Sequence, residues 1–175
     1  MSNNIKVFVT DVDGCLTDGC IIFTDQGDGI CRFHAHDGLG LSVLKKMGIT
    51  LIAISGRKCK AVEHRLNQLG FHHIILGSTN KQTDLRNLLN ELSLSFKDIA
   101  YVGDDLIDLE VMELAAKRYA PANAVDIVKK ISCFTSAHKG GDGAVRDIIE
   151  HMLAKDFKTS VMCEYFKEGT QSIVQ

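Results

Sequence analysis

The sequence predicts an α/β fold in three layers: a doubly wound, mostly parallel sheet covered by helices on both faces, with a β-hairpin inserted after the first strand and no cap domain. Three observations carry this. Short apolar runs of strand length alternate with segments whose apolar residues recur at helical spacing, the pattern of strands joined by crossover helices. Proline occurs only at position 121, and no Ser/Pro-rich linker or internal repeat divides the 175 residues. The β-prone runs 20–24 and 29–34 break the alternation around Asp25-Gln26-Gly27-Asp28-Gly29, whose residues tolerate φ > 0 and predict a hairpin.

In chain order, strands are expected at 5–10, 49–54, 73–76 and 98–102, with weaker candidates at 118–120 and 133–135. Helices fill the intervals, giving the Rossmann-like order. Val62, Leu66 and Leu69 make an apolar stripe that Gly70 can terminate, and Leu85, Leu88, Leu89 and Leu92 repeat the i, i+3, i+4, i+7 spacing. These stripes are expected to be core. One domain over 1–156, with the hairpin at 20–34, is followed by a tail over 157–175.

Composition excludes several classes of function. The chain is 45% apolar and 24% charged with a formal net charge of −2, so it carries no electrostatic footprint for nucleic acid or an acidic membrane. No apolar run approaches the ~20 residues of a spanning helix, and the start of the chain lacks a secretory pattern, which points to the cytoplasm. Six cysteines without a CxxC pair read as free buried thiols.

The chemistry lies at the strand ends. Asp11 and Asp13 follow the first apolar run two residues apart, a spacing that in extended chain turns both carboxylates to one side at the carboxyl edge, where open parallel sheets bind ligands. Such a pair repels unless a cation joins it, and hard oxygen donors suit Mg²⁺. The second strand runs into Ser55-Gly56-Arg57, a hydroxyl and a glycine expected to open a helix whose free N–H groups bind an anion. After the third strand, Lys81 sits where a helix should begin, a position the macrodipole disfavours for a cation, so a use for its charge is expected. The fourth ends in Gly103-Asp104-Asp105, with Asp108 one turn on. Taken singly, each group also reads as a cap, a turn former or a solvated side chain. Four compatible strand ends in succession point to a phosphate and a cation held together.

In these four motifs, Asp11-Val12-Asp13-Gly14, Ser55, Lys81 and Gly103-Asp104-Asp105-Leu106-Ile107-Asp108, the chain resembles the haloacid dehalogenase superfamily of phosphotransferases. The resemblance implies that Asp11 is the nucleophile that becomes an aspartyl phosphate. Asp13 is then the acid that protonates the leaving alcohol and afterwards activates water. Ser55 and Lys81 hold the phosphoryl oxygens, and Asp104 completes a Mg²⁺ site with Asp11 and the backbone carbonyl of Asp13. Asp105 and Asp108 rank as outer ligands. The gaps of 44 positions from Asp11 to Ser55 (55 − 11) and 26 from Ser55 to Lys81 (81 − 55) hold no cap domain. A closer likeness, in Thr10 to Gly19, Asp37-Gly38-Leu39-Gly40, Ser55 to Lys58, Val62 to Arg65, Asn80-Lys81 and Gly140 to Arg146, is to the small capless branch of 3-deoxy-D-manno-octulosonate 8-phosphate phosphatases. That likeness implies a homotetramer with packed hairpins, and substrate binding by Arg57, Arg65, Gly56 and the loop His34 to Gly38, which includes His36 and Asp37. It also implies that the glycine-rich segment and the tail near Gln171 to Ile173 reach toward a neighbouring site.

Where that branch has Asn-x-Arg-Asp-Gly, this chain has His34-Ala35-His36-Asp37-Gly38, and Ser42 stands for a further arginine. Imidazole grips a carboxylate less firmly than a guanidinium fork does, which leaves open a nine-carbon, neuraminate-like sugar acid 9-phosphate. Two other readings stand beside this one: a transition-metal hydrolase built on His34, His36 and Asp37, and a receiver-type phosphoacceptor that signals and does not turn phosphate over. The second is opposed by the acid at i+2 and by the hairpin.

Overall fold

The computed structural model describes residues 5–26 and 29–153. Apolar side chains alternate along strands that are buried on both faces, so successive residues feed two separate cores. In β1 (Val7–Thr10), Phe8 faces one core while Val7 and Val9 face the other. The same division holds in β4 (Thr50–Ser55), with Leu51 and Ala53 opposite Ile52 and Ile54, and in β6 (Ile99–Val102), with Ala100 and Val102 opposite Ile99 and Tyr101. With β5 (His73–Leu76), β7 (Lys117–Ala120) and β8 (Phe134–Thr135) these strands form a parallel sheet in the order β5-β4-β1-β6-β7-β8.

Among the described residues, three helices cover each face. On one side lie α1 (Ala35–Lys46), α2 (Lys60–Leu69) and α6 (Ala144–Met152), through Leu41, Val62, Leu66, Val145 and Ile148. On the other lie α3 (Lys81–Glu91), α4 (Leu109–Leu114) and α5 (Asp126–Ile131), through Leu85, Leu89, Val111, Met112 and Val128. Both leucine-type stripes face inward, with Leu88 and Leu92 at the margin of their core, and Gly70 closes α2 in the left-handed conformation at φ 72°. The chain is thus the three-layer, doubly wound α/β fold that its sequence predicts.

Three local expectations are corrected. The hairpin between β1 and α1 pairs β2 (Ile22–Phe23) with β3 (Gly29–Ile30) and adds one isolated antiparallel bridge between Thr17 and Phe33, because few of its side chains find a core: Ile21, Ile22, Phe23 and Ile30 are all exposed. The segment from His34 to Gly38 is not a loop but the beginning of α1, with His34 as N-cap. The cysteines are not uniformly buried: Cys15 is, Cys31 and Cys59 are half-buried, and Cys20 and Cys133 are exposed. Cys163 and the tail lie outside the described residues. Among those described, only the hairpin with α1 stands between β1 and β4, and only α2 between β4 and β5, so no cap domain interrupts them.

Candidate active site

The first strand lies at the centre of the sheet, with its carboxyl end flanked by β4 and β6, so the loop after it is surrounded by the ends of its neighbours. Strand geometry stops at Thr10. Asp11 N–H still donates to Val102 C=O at 2.9 Å, after which the carbonyl of Val12 accepts from Cys15, Leu16 and Thr17 in a tight turn. Because the chain turns there, Asp11 and Asp13 do not share one face as extended chain would require. Each carboxylate meets its own cation.

Asp11 points into the fold. Lys81 Nζ donates to its Oδ1 at 2.5 Å and to Asp108 Oδ1 at 2.8 Å, and all three side chains are almost wholly buried. The first residue of α3 is therefore a lysine because two buried carboxylates hold it there, outweighing the local macrodipole. Asn80, the N-cap, closes that helix by accepting from Thr83 N–H at 2.8 Å. Burial pushes the Asp11 carboxyl well above its ordinary range, Asp108 adds to the rise, and Lys81 opposes both. Burial works against the charge on Lys81, but Asp11 and Asp108 outweigh it and hold the ammonium above its usual value.

Asp108 is the residue that sequence reasoning ranked too low. It is wholly buried, accepts from the Tyr101 hydroxyl at 2.7 Å, and receives the backbone N–H groups of Asp104 at 3.0 Å and Asp105 at 3.3 Å. This arrangement folds the 103–108 loop around one carboxylate and aims Asp104 at Asp11. Its sequence signal was the Asp105-to-Asp108 spacing of a capping box, which the structure contains. Asp105 itself is exposed and caps the short 3-10 turn by accepting from Leu106 N–H at 2.7 Å.

Ligand atoms of Asp11, Asp104 and Cys15 lie within 4.8 Å of one another, the group among the described residues able to surround one ion. Burial, then Asp108, raises Asp104 to about 6. Three carboxylates (Asp11, Asp104, Asp108) against one ammonium leave two negative charges in a buried space, which fits a hard divalent cation held by Asp11 and Asp104. Cys15 is a poor partner for such an ion: burial pushes its thiol up, with the Asp104 carboxylate adding to the rise, and the thiol donates weakly to Asp104 Oδ1 at 3.9 Å. The thiol therefore reads as a neutral neighbour. Asp13 enters the expected metal set only through its main chain, since its carboxylate faces the other way.

That carboxylate is gripped by Arg57, with Nε donating to Oδ2 at 3.1 Å and Nη2 to Oδ1, while Ser55 Oγ donates to Oδ2 at 3.4 Å. Ser55 is the last residue of β4, and α2 begins only at Lys60 behind the N-cap Cys59, so Ser55-Gly56 does not open a helix as expected. The hydroxyl instead also accepts from Arg57 N–H at 3.1 Å, tying the arginine to the strand end.

The remaining expected substrate contacts divide. Arg65, on α2, lies close to α1: a Cβ on Gly38 would come 2.9 Å from Leu69 and 3.5 Å from Arg65 Nη2, so Gly38 serves close helix packing. His34 Nδ1 accepts from His36 N–H at 3.3 Å, and the two rings meet edge to face. They do not join the metal-competent group. Asp37 is buried and accepts from Arg146 N–H at 2.8 Å, fastening α1 to the start of α6, while its Oδ2 finds no hydrogen-bond partner among the described residues. Burial pushes this carboxyl up to about 6, from an ordinary 3.8, against the pull of the Arg146 N–H and the nearby His34. The folded chain then binds more protons than the unfolded chain between about pH 4 and pH 6, so the charge of Asp37 opposes folding above pH 6 and ceases to as pH falls. Asp37→Asn is expected to match or exceed the parent's melting temperature at about pH 7, with the difference shrinking toward about pH 4 in paired thermal melts.

Two glycines and an asparagine complete the site in ways that motif reading missed. Gly14, at φ +89°, has no room for a side chain because a Cβ would overlap Asp104 Oδ2. Gly140 packs directly on the Gly14 carbonyl, and Asn123 bridges them, donating to Gly14 C=O at 2.9 Å and accepting from Gly140 N–H. The glycine-rich segment therefore braces the Asp11 loop of its own chain. Asn123 follows the end of β7, a fifth strand end that the sequence pattern did not single out.

Comparison with known proteins gives the family of the chain. Residues 72–149 match the family described as haloacid dehalogenase-like hydrolase. The 3-deoxy-D-manno-octulosonate 8-phosphate phosphatase KdsC of Escherichia coli K12 is 36% identical over 152 residues, covering 87% of this chain and 81% of the relative. This chain belongs to the haloacid dehalogenase-like hydrolases. Among solved structures, the 3-deoxy-D-manno-octulosonate 8-phosphate phosphatase of Moraxella catarrhalis, in complex with magnesium ion, phosphate ion and KDO, aligns with a TM-score of 0.88 at 36% identity, covering 94% of each chain. The cobalt-bound enzyme of Haemophilus influenzae aligns with a TM-score of 0.87 at 33% identity, covering 94% of this chain and 97% of that one.

Proposed function

We infer that this haloacid dehalogenase-like hydrolase is a Mg²⁺-dependent phosphomonoesterase that converts 3-deoxy-D-manno-octulosonate 8-phosphate to the free sugar acid and phosphate. The observation that carries the reading is the buried cluster of Asp11, Lys81, Asp104 and Asp108 at the carboxyl edge of β1, in a chain whose relatives bear that activity in their names. The nine-carbon alternative is not favoured by those relatives, and a receiver-type role leaves Asp13 and its arginine without a task.

In the mechanism we propose, an Asp11 carboxylate oxygen attacks phosphorus while Asp13 gives a proton to the leaving C8 oxygen. Asp13 then takes a proton from the water that opens the aspartyl phosphate. Lys81 sets its charge against the phosphoryl oxygens, and Ser55 offers its hydroxyl to them. Mg²⁺ held by Asp11, Asp104 and the Asp13 main chain supplies charge neutralisation that lets an anionic nucleophile approach an anionic ester. Arg57 occupies both oxygens of Asp13, so it must release them for proton transfer, and a substrate carboxylate is the natural acceptor for the freed fork. Arg65, His34 and His36 complete the proposed sugar acid contacts.

The test is phosphate release from a panel of eight- and nine-carbon sugar acid phosphates, with Mg²⁺ and after chelation. The octulosonate ester is expected to turn over at least about tenfold faster than any nine-carbon ester, a specificity worth ~1.4 kcal/mol, and chelation to abolish turnover until Mg²⁺ is returned. Stable phosphate on Asp11 without turnover would favour the receiver reading, and activity restored by zinc alone would favour the histidine reading.

We further propose one domain over 1–156 with a tail over 157–175, a cytoplasmic location, and a homotetramer. Supporting the location, no described helix is long and apolar enough to cross a membrane. Supporting the assembly, Ile21, Ile22, Phe23 and Ile30 expose an apolar patch on the hairpin beside an open site. Sedimentation is expected to give a tetramer that Phe23→Asp dissociates; a parent protein that sediments as a monomer at assay concentration would contradict this.

A further inference from the structure

The hairpin and the start of α2 meet through two thiols. Cys31, just after β3, lies with its Sγ 3.8 Å from Sγ of Cys59, the N-cap of α2 and 28 residues away in the chain. The backbone of the hairpin approaches the same sulfur, since a Cβ on Gly29 would stand 3.4 Å from Cys59 Sγ. Arg57 Nη2, which also holds Asp13, lies 3.8 Å from Cys31 Sγ. Both thiols are half-buried, whereas Cys20 and Cys133 are exposed and unpaired with each other, and Cys15 is buried.

We propose that Cys31 and Cys59 are a redox modification site, closing under peroxide to a reversible disulfide that clasps the hairpin to the start of α2. The two thiols differ in a way that assigns their roles. Burial works against ionisation of Cys59, but the N–H groups of Val62 and Ala61, the Cys31 thiol and the Arg57 guanidinium outweigh it and hold this thiol below its ordinary value. Burial pushes Cys31 up. Cys59 is thus the attacking sulfur and Cys31 the resolving one.

Cys59 thiolate attacks one oxygen of hydrogen peroxide; an S–O bond forms, the O–O bond breaks, and hydroxide leaves to become water with the proton Cys59 gave up. Cys31, on losing its proton, attacks the Cys59 sulfenic acid; the S–S bond forms, the S–O bond breaks, and hydroxide leaves with that proton as a second water. Two thiols lose two electrons and the peroxide gains them. Closure draws the sulfurs from 3.8 Å to the ~2.05 Å of a disulfide, a shift within reach of a hairpin of two-residue strands whose side chains are mostly exposed.

The experiment treats the full chain with a few equivalents of hydrogen peroxide and maps its peptides by fragmentation. An intramolecular link between residues 31 and 59 is expected, removed by dithiothreitol, retained in Cys20→Ser, and accompanied by at least about tenfold slower amide exchange over residues 29–33. In Cys31→Ser, dimedone is expected to trap Cys59 as its sulfenic acid. Oxidation of Cys20 and Cys133 with no 31–59 link, links only between molecules, or unchanged exchange in the linked protein would each overturn the proposal.

Discussion

Asp11→Asn is expected to lower kcat on the octulosonate ester by on the order of 10⁴-fold or more while leaving the fold intact, because an amide oxygen does not form the acyl phosphate that the reaction requires. The electrostatics of the cluster make the second half of this expectation firm. Asp11 is one of three carboxylates facing a single ammonium, and burial together with Asp108 already resists its ionisation. Removing its charge leaves Lys81 paired with Asp108 at 2.8 Å and relieves the repulsion from Asp108 and Asp104. The melting temperature of the metal-free variant should equal or exceed that of the metal-free parent. Steady-state kinetics and thermal melts check both parts: activity within about tenfold of the parent would remove Asp11 from the nucleophile's role, and a collapsed melt would contradict the charge argument.

Lys81→Ala should do the opposite to stability. The substitution leaves Asp11 and Asp108 buried without their counter-charge, and stripping one partner from a buried ion pair costs ~3–5 kcal/mol. Activity should vanish with it, since no other ammonium approaches these carboxylates among the described residues. The double variant Lys81→Ala with Asp11→Asn separates the two losses. It is expected to regain stability relative to Lys81→Ala, because one buried charge has gone, and to regain no activity. Denaturant unfolding of the four proteins closes the cycle; a single Lys81→Ala variant as stable as the parent would show that the cluster is solvated in solution.

Much of this was legible because strand alternation and helical periodicity set the layers, and the layers bring the strand ends to one edge. Val7 to Thr10, Thr50 to Ser55 and Ile99 to Val102 carry little besides apolar side chains, so their burial and parallel pairing followed from composition. What failed was local direction just past each strand. The i, i+2 argument for Asp11 and Asp13 assumes extended chain, but the Val12 carbonyl gathers three N–H groups and turns the pair apart. Similarly, Ser55 resembles a helix opening only if the helix starts at once, and it starts five residues later at Lys60. Asp108 was undervalued because its importance lies in what it receives, two backbone N–H groups, a hydroxyl and an ammonium, none of which a linear pattern displays. Pairing of Cys31 with Cys59 was invisible for the same reason: 28 residues of spacing say nothing about distance in space.

The stitch that joins Gly14, Asn123 and Gly140 bears on when the enzyme comes into being. A nascent chain halted short of Gly140 would already possess Asp11, Ser55, Lys81 and Asp104, yet the turn carrying the first of them would lack its buttress. Synthesis on the ribosome must therefore pass Gly140 before that turn gains this support, and until then it rests on the three N–H groups that the Val12 carbonyl gathers.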